Sequence, residues 1–315
     1  MTGFSAGVPL LTSLPPRLNR RDRSGMDIGA AYQRACIESW AGCGFHPVSV
    51  NPPEEIPALA AAFPQVSFVA ADSNGQGLYG RPVVFLNHLL RQAEGEGAPA
   101  FAIINADILL TGGPSMAARL ADMACGDGGR CVLAHRFDRP HLDPADPGAG
   151  ADEGAFYTIG FDLFVLETAR AGLFGGDVFG ADGFAMGIPW WDYWVPLRLK
   201  LAGVPVSLLT DPVVQHLDHD KHWNPQQWRA GYRLIARHVR RLACDAAGTE
   251  GPAAFAAGLL DYATGFFDFG DRYHEDDPRG RDIVDQYLTC FSEQCVRFIL
   301  NGPGASKVSL AHPLS

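Results

Sequence analysis

The sequence predicts an α/β fold in which helices cover both faces of an open, mostly parallel sheet. From residue 8 to about residue 135, short β-rich runs alternate with segments of helical periodicity, a pattern typical of parallel β-α-β units. Ala100–Ile104 is apolar at every position, as expected of a strand that is buried on both faces. Beyond Asn224 three helical segments follow one another with no strand between them, which predicts a C-terminal helical region.

The elements are predicted in chain order from their periodicity and their end signals. Tyr32, Cys36 and Trp40 share one helical face at i, i+4 and i+8, and Pro114 marks a helix start. The predicted strands are Val8–Ser13, His46–Asn51, Val66–Ala71, Ala100–Ile104, Cys131–His135, Ala155–Leu166 and Val206–Leu209. The predicted helices are Ile28–Gly42, Pro53–Phe63, Arg81–Ala93, Pro114–Cys125, Val195–Leu201, Pro225–Ala246, Ala253–Phe267 and Gly280–Leu300. Asp138–Glu153, rich in Pro, Gly and Asp, predicts a loop.

Composition narrows the class of protein. Apolar residues make up 47% of the 315 residues and charged residues 19%, which excludes an intrinsically disordered chain. A net charge of −10 without a long basic block argues against a nucleic-acid binder. The seven cysteines form no CxxC pair, and no window reaches about 18 apolar residues. We therefore expect a cytoplasmic protein with reduced thiols.

The strand Ala100–Ile104 runs into Asn105-Ala106-Asp107. Side chains at i and i+2 of an extended chain point to the same side. At a strand end, Asn105 and Asp107 can together hold a divalent cation, which prefers oxygen ligands and also accepts phosphate oxygens. The alternative is an Asx turn that ends the strand.

The segment Gly187-Ile-Pro-Trp-Trp-Asp-Tyr-Trp194 places one carboxylate, Asp192, among aromatic residues. Aromatic faces are a common platform for sugars, so Trp190, Trp191 and Trp194 are candidates for the acceptor side. A carboxylate in apolar surroundings acquires a raised pKa that suits base catalysis. The alternative is a core turn in which Asp192 caps the following helix.

Histidines and aspartates are dense in Gln215-His-Leu-Asp-His-Asp-Lys-His-Trp223. A neutral imidazole of His216 could complete a metal shell that Asp107 begins. The spacing is not typical of a zinc site. The alternative is a solvated polar loop.

Further polar residues lie at predicted strand ends, where ligands of open α/β sheets bind. Thr12, Ser13 and Asp72 stand at the ends of the first and third strands, and Arg17 follows shortly after the first. An arginine there can pair bidentately with a phosphate, although a surface arginine in a Pro-rich turn is the alternative. The Gly-rich turn before Arg81 matches neither GxGxxG nor a P-loop, but Arg81 could still contact a ligand.

The helix predicted from Pro225 has a basic face. Its arginines are Arg229, Arg233, Arg237, Arg240 and Arg241. A basic amphipathic helix can contact an anionic membrane surface from the cytoplasmic side. Pairing with the acidic residues of Asp271–Asp277 is the alternative interpretation.

Together, these segments resemble the GT-A class of nucleotide-sugar glycosyltransferases over roughly residues 8–224. The resemblance rests on Thr12-Ser13, Asp72, Asn105-Ala106-Asp107, Trp191-Asp192 and His216, in that order. It implies a Rossmann-like sheet that binds a nucleotide sugar through Thr12, Ser13, Arg17, Asp72, Arg81, Asn105 and Asp107. It also implies a Mn²⁺ or Mg²⁺ ion on Asp107 and His216. Asn105, a neutral and weaker ligand, stands where a DxD-type motif begins, and Asp107 alone can suffice in relatives of this kind.

The implied activity is transfer of a sugar to a hydroxyl acceptor, in polysaccharide or glycoconjugate synthesis, with Asp192 as general base of an inverting reaction. Residues 1–224 would form the catalytic domain, and 225–315 a helical extension packed on it at the acceptor side or at a dimer contact. A sugar nucleotidyltransferase is the first alternative, but Leu11–Arg17 lacks the glycine expected of its phosphate loop. A non-catalytic sugar- or nucleotide-binding module is the second.

Overall fold

A computed structural model describes most of the first 219 residues and parts of the remainder. The described residues are 7–126, 128–143, 153–174, 183–219, 227–228, 230–235, 237–238, 278–301 and 304–311. The described strands are β1 (Val8–Thr12), β2 (Phe45–Asn51), β3 (Ser67–Ala70), β4 (Ala100–Ile104), β5 (Ile108–Leu110), β6 (Cys131–Ala134), β7 (Phe137–Arg139), β8 (Ala155–Phe156), β9 (Leu163–Glu167), β10 (Val206–Leu209), β11 (Val214–Leu217) and β12 (Ala305–Val308).

Eight of these strands form the main sheet, in the order β12-β10-β6-β9-β4-β1-β2-β3. Neighbouring strands run parallel, except that β9 is antiparallel to both β4 and β6. The predicted mixed α/β architecture with a mostly parallel sheet is confirmed.

Helices lie on both faces of this sheet. The described α-helices are α1 (Gly29–Gly42), α2 (Ile56–Ala62), α3 (Gln76–Tyr79), α4 (Leu86–Gly95), α5 (Met116–Cys125), α6 (Trp191–Leu201) and α7 (Pro278–Asn301), with a 3-10 helix at Thr168–Phe174. Successive residues of β4 enter different cores: Phe101 and Ile103 pack with α4 and α6, whereas Ala102 and Ile104 pack with α1 and α5. Both cores are formed because β4 is apolar at every position.

The remaining strands form a small sheet in the order β5-β11-β7-β8. The sequence predicted a single strand over Ala155–Leu166, but the chain there makes two strands in different sheets. β8 pairs with β7, and the chain then crosses to the main sheet, where β9 begins at Leu163. The prediction also missed β5, β7 and β11, which are three or four residues long, below the length at which alternation is informative.

The C-terminal region is described only in part. The predicted helix Ala253–Phe267 lies outside the described residues, as do the proposed boundary after residue 224 and Arg229, Arg240 and Arg241 of the basic face. α7 packs against α6 and against the edge of the main sheet. β12, which the sequence did not predict, adds to that edge in parallel with β10. Within the described part of the chain, no helix has the length and apolar character needed to cross a membrane.

Candidate active site and cation site

A cavity of about 850 Å³ opens where the order of the main sheet reverses. β1 lies between β2 and β4, so the chain builds outward from β1 in two directions. Such a switch point leaves a crevice at the carboxyl ends of the strands. Ser13, just after β1, and Asn105–Asp107, just after β4, line the cavity.

The small sheet brings a histidine to the end of β4. β5 follows Asp107 directly and pairs antiparallel with β11, with Ile108 opposite His216. β7 pairs with the other edge of β11, with Asp138 opposite His216. One register therefore places the His216 side chain between two carboxylates that are distant in sequence.

Asp107, His216 and His219 form a group that could hold a metal ion, because one ligand atom of each lies within 4.8 Å of the others. Nε2 of His216 is 3.5 Å from Oδ2 of Asp107, and Nε2 of His219 is 3.8 Å from the same oxygen. One carboxylate and two imidazoles are a common ligand set for divalent transition metals. The prediction had paired Asp107 with His216; His219 joins them because the chain continues past β11 toward the cavity.

Hydrogen bonds shift the pKa values of Asp107 and His216. Burial by itself would raise the pKa of Asp107, but hydrogen bonds from His216 and His219 and the charge of Arg20 hold that pKa well below its usual range. Burial would lower the pKa of His216, yet hydrogen bonds to Asp107 and Asp138 raise it. Asp138 accepts from Nδ1 of His216 at 2.7 Å. This contact leaves Nε2 facing Asp107, as a metal-binding histidine with an orienting carboxylate requires.

The guanidinium of Arg20 contacts Asp107 at the same place. Nη2 of Arg20 donates to Oδ2 of Asp107 at 2.5 Å. The Arg20 side chain is 4% exposed and that of Asp107 24%. The oxygen that faces both histidines is therefore held by a buried guanidinium.

Asn105 points to a different partner from Asp107. Its amide donates to Oδ1 of Asp162 at 2.6 Å. Arg136 lies 3.7 Å from Oδ2 of Asp162 and donates to Asp138 at 2.7 Å. Asn105 and Asp107 are thus connected across the cavity wall by a chain of contacts through Asp162, Arg136, Asp138 and His216.

Asp192 lies in the first turn of α6 and lines the same cavity. Trp190 occupies the N-cap position of this helix, so Asp192 is not the capping residue of the alternative interpretation. Burial, together with the nearby charge of Asp162, raises the pKa of Asp192 from 3.8 to about 7. A carboxyl group with that pKa can accept a proton near neutral pH.

The aromatic residues around Asp192 lie mostly in the core. Trp190 and Trp191 border the cavity but are 0% and 2% exposed, and Trp194 is 0% exposed and does not line it. Trp190 has a left-handed backbone, with φ of 87°, and its indole donates to the carbonyl of Trp228. The acceptor-side role of these tryptophans stays a prediction, and their burial favours positioning of Asp192 over an open sugar platform.

The other predicted nucleotide contacts divide into two groups. Ser13, Arg17 and Arg81 line the cavity. Thr12 is fully buried within β1. Asp72 has 89% of its side chain exposed, lies 3.7 Å from Arg91 and does not line the cavity. Neither is brought to the other residues, because Thr12 faces the core and Asp72 extends into solvent.

Several cavity residues carried no recognisable signal in the sequence. These are Arg20, Arg136, Asp138, Tyr157 and Asp162. Arg20 lies in the loop between β1 and α1. Arg136, Asp138 and Tyr157 lie in or beside β7 and β8 of the small sheet, and Asp162 immediately precedes β9 of the main sheet. The density of histidines in 215–223 was the available signal for His219, whereas His222 lies outside the described residues.

No protein-family model and no curated protein matches the chain. Two solved structures resemble it at 12% sequence identity. One, a mycobacterial protein, has a TM-score of 0.40 and covers 76% of this chain and 75% of its own. The other, mannose-1-phosphate geranyltransferase from Thermus thermophilus, has a TM-score of 0.32 and covers 74% of this chain and 79% of its own. Likenesses this weak carry no argument about function, which therefore rests on the site.

Proposed function

We propose that this chain is a glycosyltransferase that moves a sugar from a nucleotide-sugar donor to an acceptor hydroxyl. The observation that carries the proposal is that one cavity contains both the Asp107–His216–His219 group and Asp192. The first can stabilise the charge of a leaving nucleotide phosphate, and the second can remove a proton from an acceptor. Glycosyl transfer to a hydroxyl requires both functions.

The donor phosphates belong at the end of β4. The carboxylate and the two imidazoles fit a divalent cation, and Asp138 holds His216 with Nε2 toward it. When bound there, Mn²⁺ or Mg²⁺ would neutralise the charge that develops on the leaving phosphate. Arg17 and Arg81 line the same cavity and supply further positive charge for phosphate oxygens.

Asp192 is the proposed general base. In a single displacement, the acceptor oxygen forms a bond to the anomeric carbon while the bond from that carbon to the phosphate oxygen breaks. The nucleotide leaves with the electron pair, and the acceptor proton passes to Asp192. Because the pKa of Asp192 is about 7, a useful fraction of it is ionised at neutral pH and its conjugate acid is not too strong.

A panel of nucleotide sugars, incubated with and without Mn²⁺, tests the proposal. Release of free nucleotide and of sugar is followed for the wild-type protein, Asp107→Ala and Asp192→Asn. We expect Asp107→Ala to abolish turnover. We expect Asp192→Asn to lower turnover by about 10²–10⁴-fold, the usual effect of losing a general base, while nucleotide affinity changes little.

His46→Ala is the matched control. His46 is exposed on β2, bonds Oγ of Ser67 and does not line the cavity, so this variant should keep full activity. Lack of turnover with every donor would contradict the proposal. Formation of a nucleotide sugar and pyrophosphate from a sugar phosphate and a nucleoside triphosphate would replace it with nucleotidyl transfer.

A further inference from the structure

Arg20 and the two histidines approach the same atom of Asp107. Nη2 of Arg20 is 2.5 Å from Oδ2, and Nε2 atoms of His216 and His219 lie 3.5 and 3.8 Å from it. A cation held between Asp107 and the two imidazoles would draw on this oxygen, because both imidazoles face it. The guanidinium of Arg20 therefore occupies part of the space around this oxygen that a metal ion would need.

A guanidinium in this position and a bound divalent cation oppose each other. A cation sits about 2.1 Å from its oxygen ligand, so it would lie within a few ångströms of the Arg20 nitrogen. Two positive centres that close repel strongly in a partly buried site. The guanidinium stays charged at all ordinary pH values, so it can relieve the repulsion only by moving.

The backbone of Arg20 is anchored, whereas the hydrogen-bonding capacity of its guanidinium is only partly used. The backbone is fixed, because its carbonyl accepts a hydrogen bond from the amide of Ile28 at the start of α1. Nη1 donates to the carbonyl of Asn19, but among the described residues Nε has no acceptor although it is buried. An unsatisfied buried donor costs free energy, so this position does not use the full hydrogen-bonding capacity of the guanidinium.

We propose that Arg20 and a divalent cation compete for Oδ2 of Asp107, and that the displaced guanidinium then binds a phosphate group of the donor. This inference rests on the proposed function. Arg20 lines the cavity together with Arg17 and Arg81, so a phosphate bound there lies within its reach. A guanidinium is suited to bidentate contact with phosphate oxygens. Arg20 thus neutralises the charge of Asp107 before the cation binds, and it contacts the phosphate of the donor afterwards.

Isothermal titration with Mn²⁺ in the absence of nucleotide tests the competition. Arg20→Gln removes the competing charge, and we expect it to bind Mn²⁺ roughly 5- to 150-fold more tightly than wild type, the usual size of a coupling between two competing interactions. Arg21→Gln is the control, because Arg21 is a neighbouring arginine that bonds the carbonyl of Gly25 and does not line the cavity. Its affinity for Mn²⁺ should equal that of wild type.

Titration with inorganic pyrophosphate at saturating Mn²⁺ tests whether the displaced guanidinium binds a phosphate group. Arg20→Gln should bind pyrophosphate about 10-fold or more weakly than wild type, because a charge-assisted contact is lost. Arg20→Gln is thus expected to strengthen the binding of Mn²⁺ and to weaken the binding of pyrophosphate. If Arg20 had only a structural role, its substitution would weaken the binding of both.

Each result decides the proposal. Unchanged or weaker Mn²⁺ binding by Arg20→Gln, unchanged pyrophosphate binding, or no Mn²⁺ binding by any variant would overturn it. If Arg20→Gln fails to fold by circular dichroism, Arg20→Met takes its place, because it also removes the positive charge while keeping a side chain of similar length, and it should bind Mn²⁺ more tightly than wild type; no increase overturns the proposal. Absence of glycosyl transfer with every donor, with these binding results intact, would contradict the proposed function alone.

Discussion

The phenol of Tyr32 donates a hydrogen bond of 2.9 Å to the backbone carbonyl of Asp107. The same phenol oxygen accepts a hydrogen bond of 3.0 Å from the amide of Leu217. Tyr32 is fully buried on α1. One side chain of the core therefore fastens the Asp107 turn to the end of β11, the strand that carries His216.

Tyr32→Phe should destabilise the fold and loosen the cation group. The substitution keeps the ring but leaves a buried carbonyl and a buried amide without this partner, which costs about 1–3 kcal/mol. We expect a lower midpoint of urea unfolding and weaker Mn²⁺ binding in the folded protein. An unchanged midpoint together with unchanged Mn²⁺ affinity would show that Tyr32 does not hold the two segments together.

Local patterns were sufficient to predict the framework of the fold. The uninterrupted apolar run Ala100–Ile104 predicted a strand buried on both faces, and the polar residues after it predicted that ligands would gather there. Asp107 follows this strand and lines the cavity. His216, from the segment dense in histidine and aspartate, and Asp192, from the aromatic turn, also line it. Each could be located from its neighbours in sequence, although their chemical roles stay predictions.

Long-range pairing could not be predicted in the same way. Asp138 bonds His216 across 78 residues, and Arg20 bonds Asp107 across 87. The first contact depends on the register of β7 and β11, which are too short to show a period. The second depends on Arg20, which lies in a loop between β1 and α1. The sequence also cannot tell a buried indole from an exposed one, so Trp194 was predicted beside the acceptor although it lies in the core.

Removal of any one ligand should weaken Mn²⁺ binding. We expect Asp107→Asn to abolish measurable binding, because it removes the only charged ligand of the group. His216→Ala and His219→Ala should each weaken it by at least about 10-fold, since loss even of an outer-shell partner typically costs 10–100-fold. Isothermal titration measures these affinities, with His46→Ala as the unaffected control.

The affinity for Mn²⁺ should rise with pH. Because hydrogen bonds raise the pKa of His216, its imidazole must lose a proton before it can bind a metal. Titration in buffers of different ionisation enthalpy should therefore reveal proton release on binding. Binding that is independent of pH across the neutral range would contradict an imidazole ligand.

Asp192 should control the acidic limb of the pH profile. Its carboxylate is the basic form, and with a pKa of about 7, kcat/KM should rise as pH increases through about 7. Arg136→Gln should move this limb to higher pH, because the charge of Arg136 lowers the pKa of Asp192. Rates measured over a pH series would show the shift. If the acidic limb did not move, the charge of Arg136 would not influence the group that controls it.

Asp192 should also make the stability of the fold depend on pH. Unlike kcat/KM, this contribution to stability should fall as pH rises. Folding raises the pKa of Asp192, so between about pH 4 and pH 7 the folded protein retains a proton that the unfolded chain releases. The contribution of Asp192 to stability is therefore present at low pH and declines as pH rises through about 7. In urea unfolding measured at several pH values, the free energy of unfolding of Asp192→Asn should decline less with pH than that of wild type. An equally steep decline in the variant would assign it to other groups.

Gly160 leaves space that the carboxylate of Asp192 needs. A Cβ atom at this position would lie 3.2 Å from Oδ2 of Asp192 and 3.0 Å from a ring carbon of Tyr157. Both distances are short enough that one side chain must move, and the backbone of Gly160 is held by the hydrogen bond from Nδ1 of His135 to its carbonyl. Gly160→Ala should therefore shift the side chains of Tyr157 and Asp192 rather than the main chain.

Contacts of 3.0 and 3.2 Å require a shift of a few tenths of an ångström, whereas about 1 Å in a reacting group can lower the rate by roughly 10²-fold. We therefore expect Gly160→Ala to reduce kcat by less than roughly 10²-fold while Mn²⁺ affinity remains unchanged, because the substitution does not touch Asp107, His216 or His219. Gly172→Ala is the matched control: a Cβ there would meet only Oε1 of Glu94, at 4.0 Å, so it should leave kcat unaltered. A crystal structure of the variant would show whether Asp192 has moved. If Asp192 is displaced and Gly160→Ala still retains full turnover, the proton is not taken by a carboxylate in the observed position of Asp192, and the base must be sought elsewhere along the cavity wall.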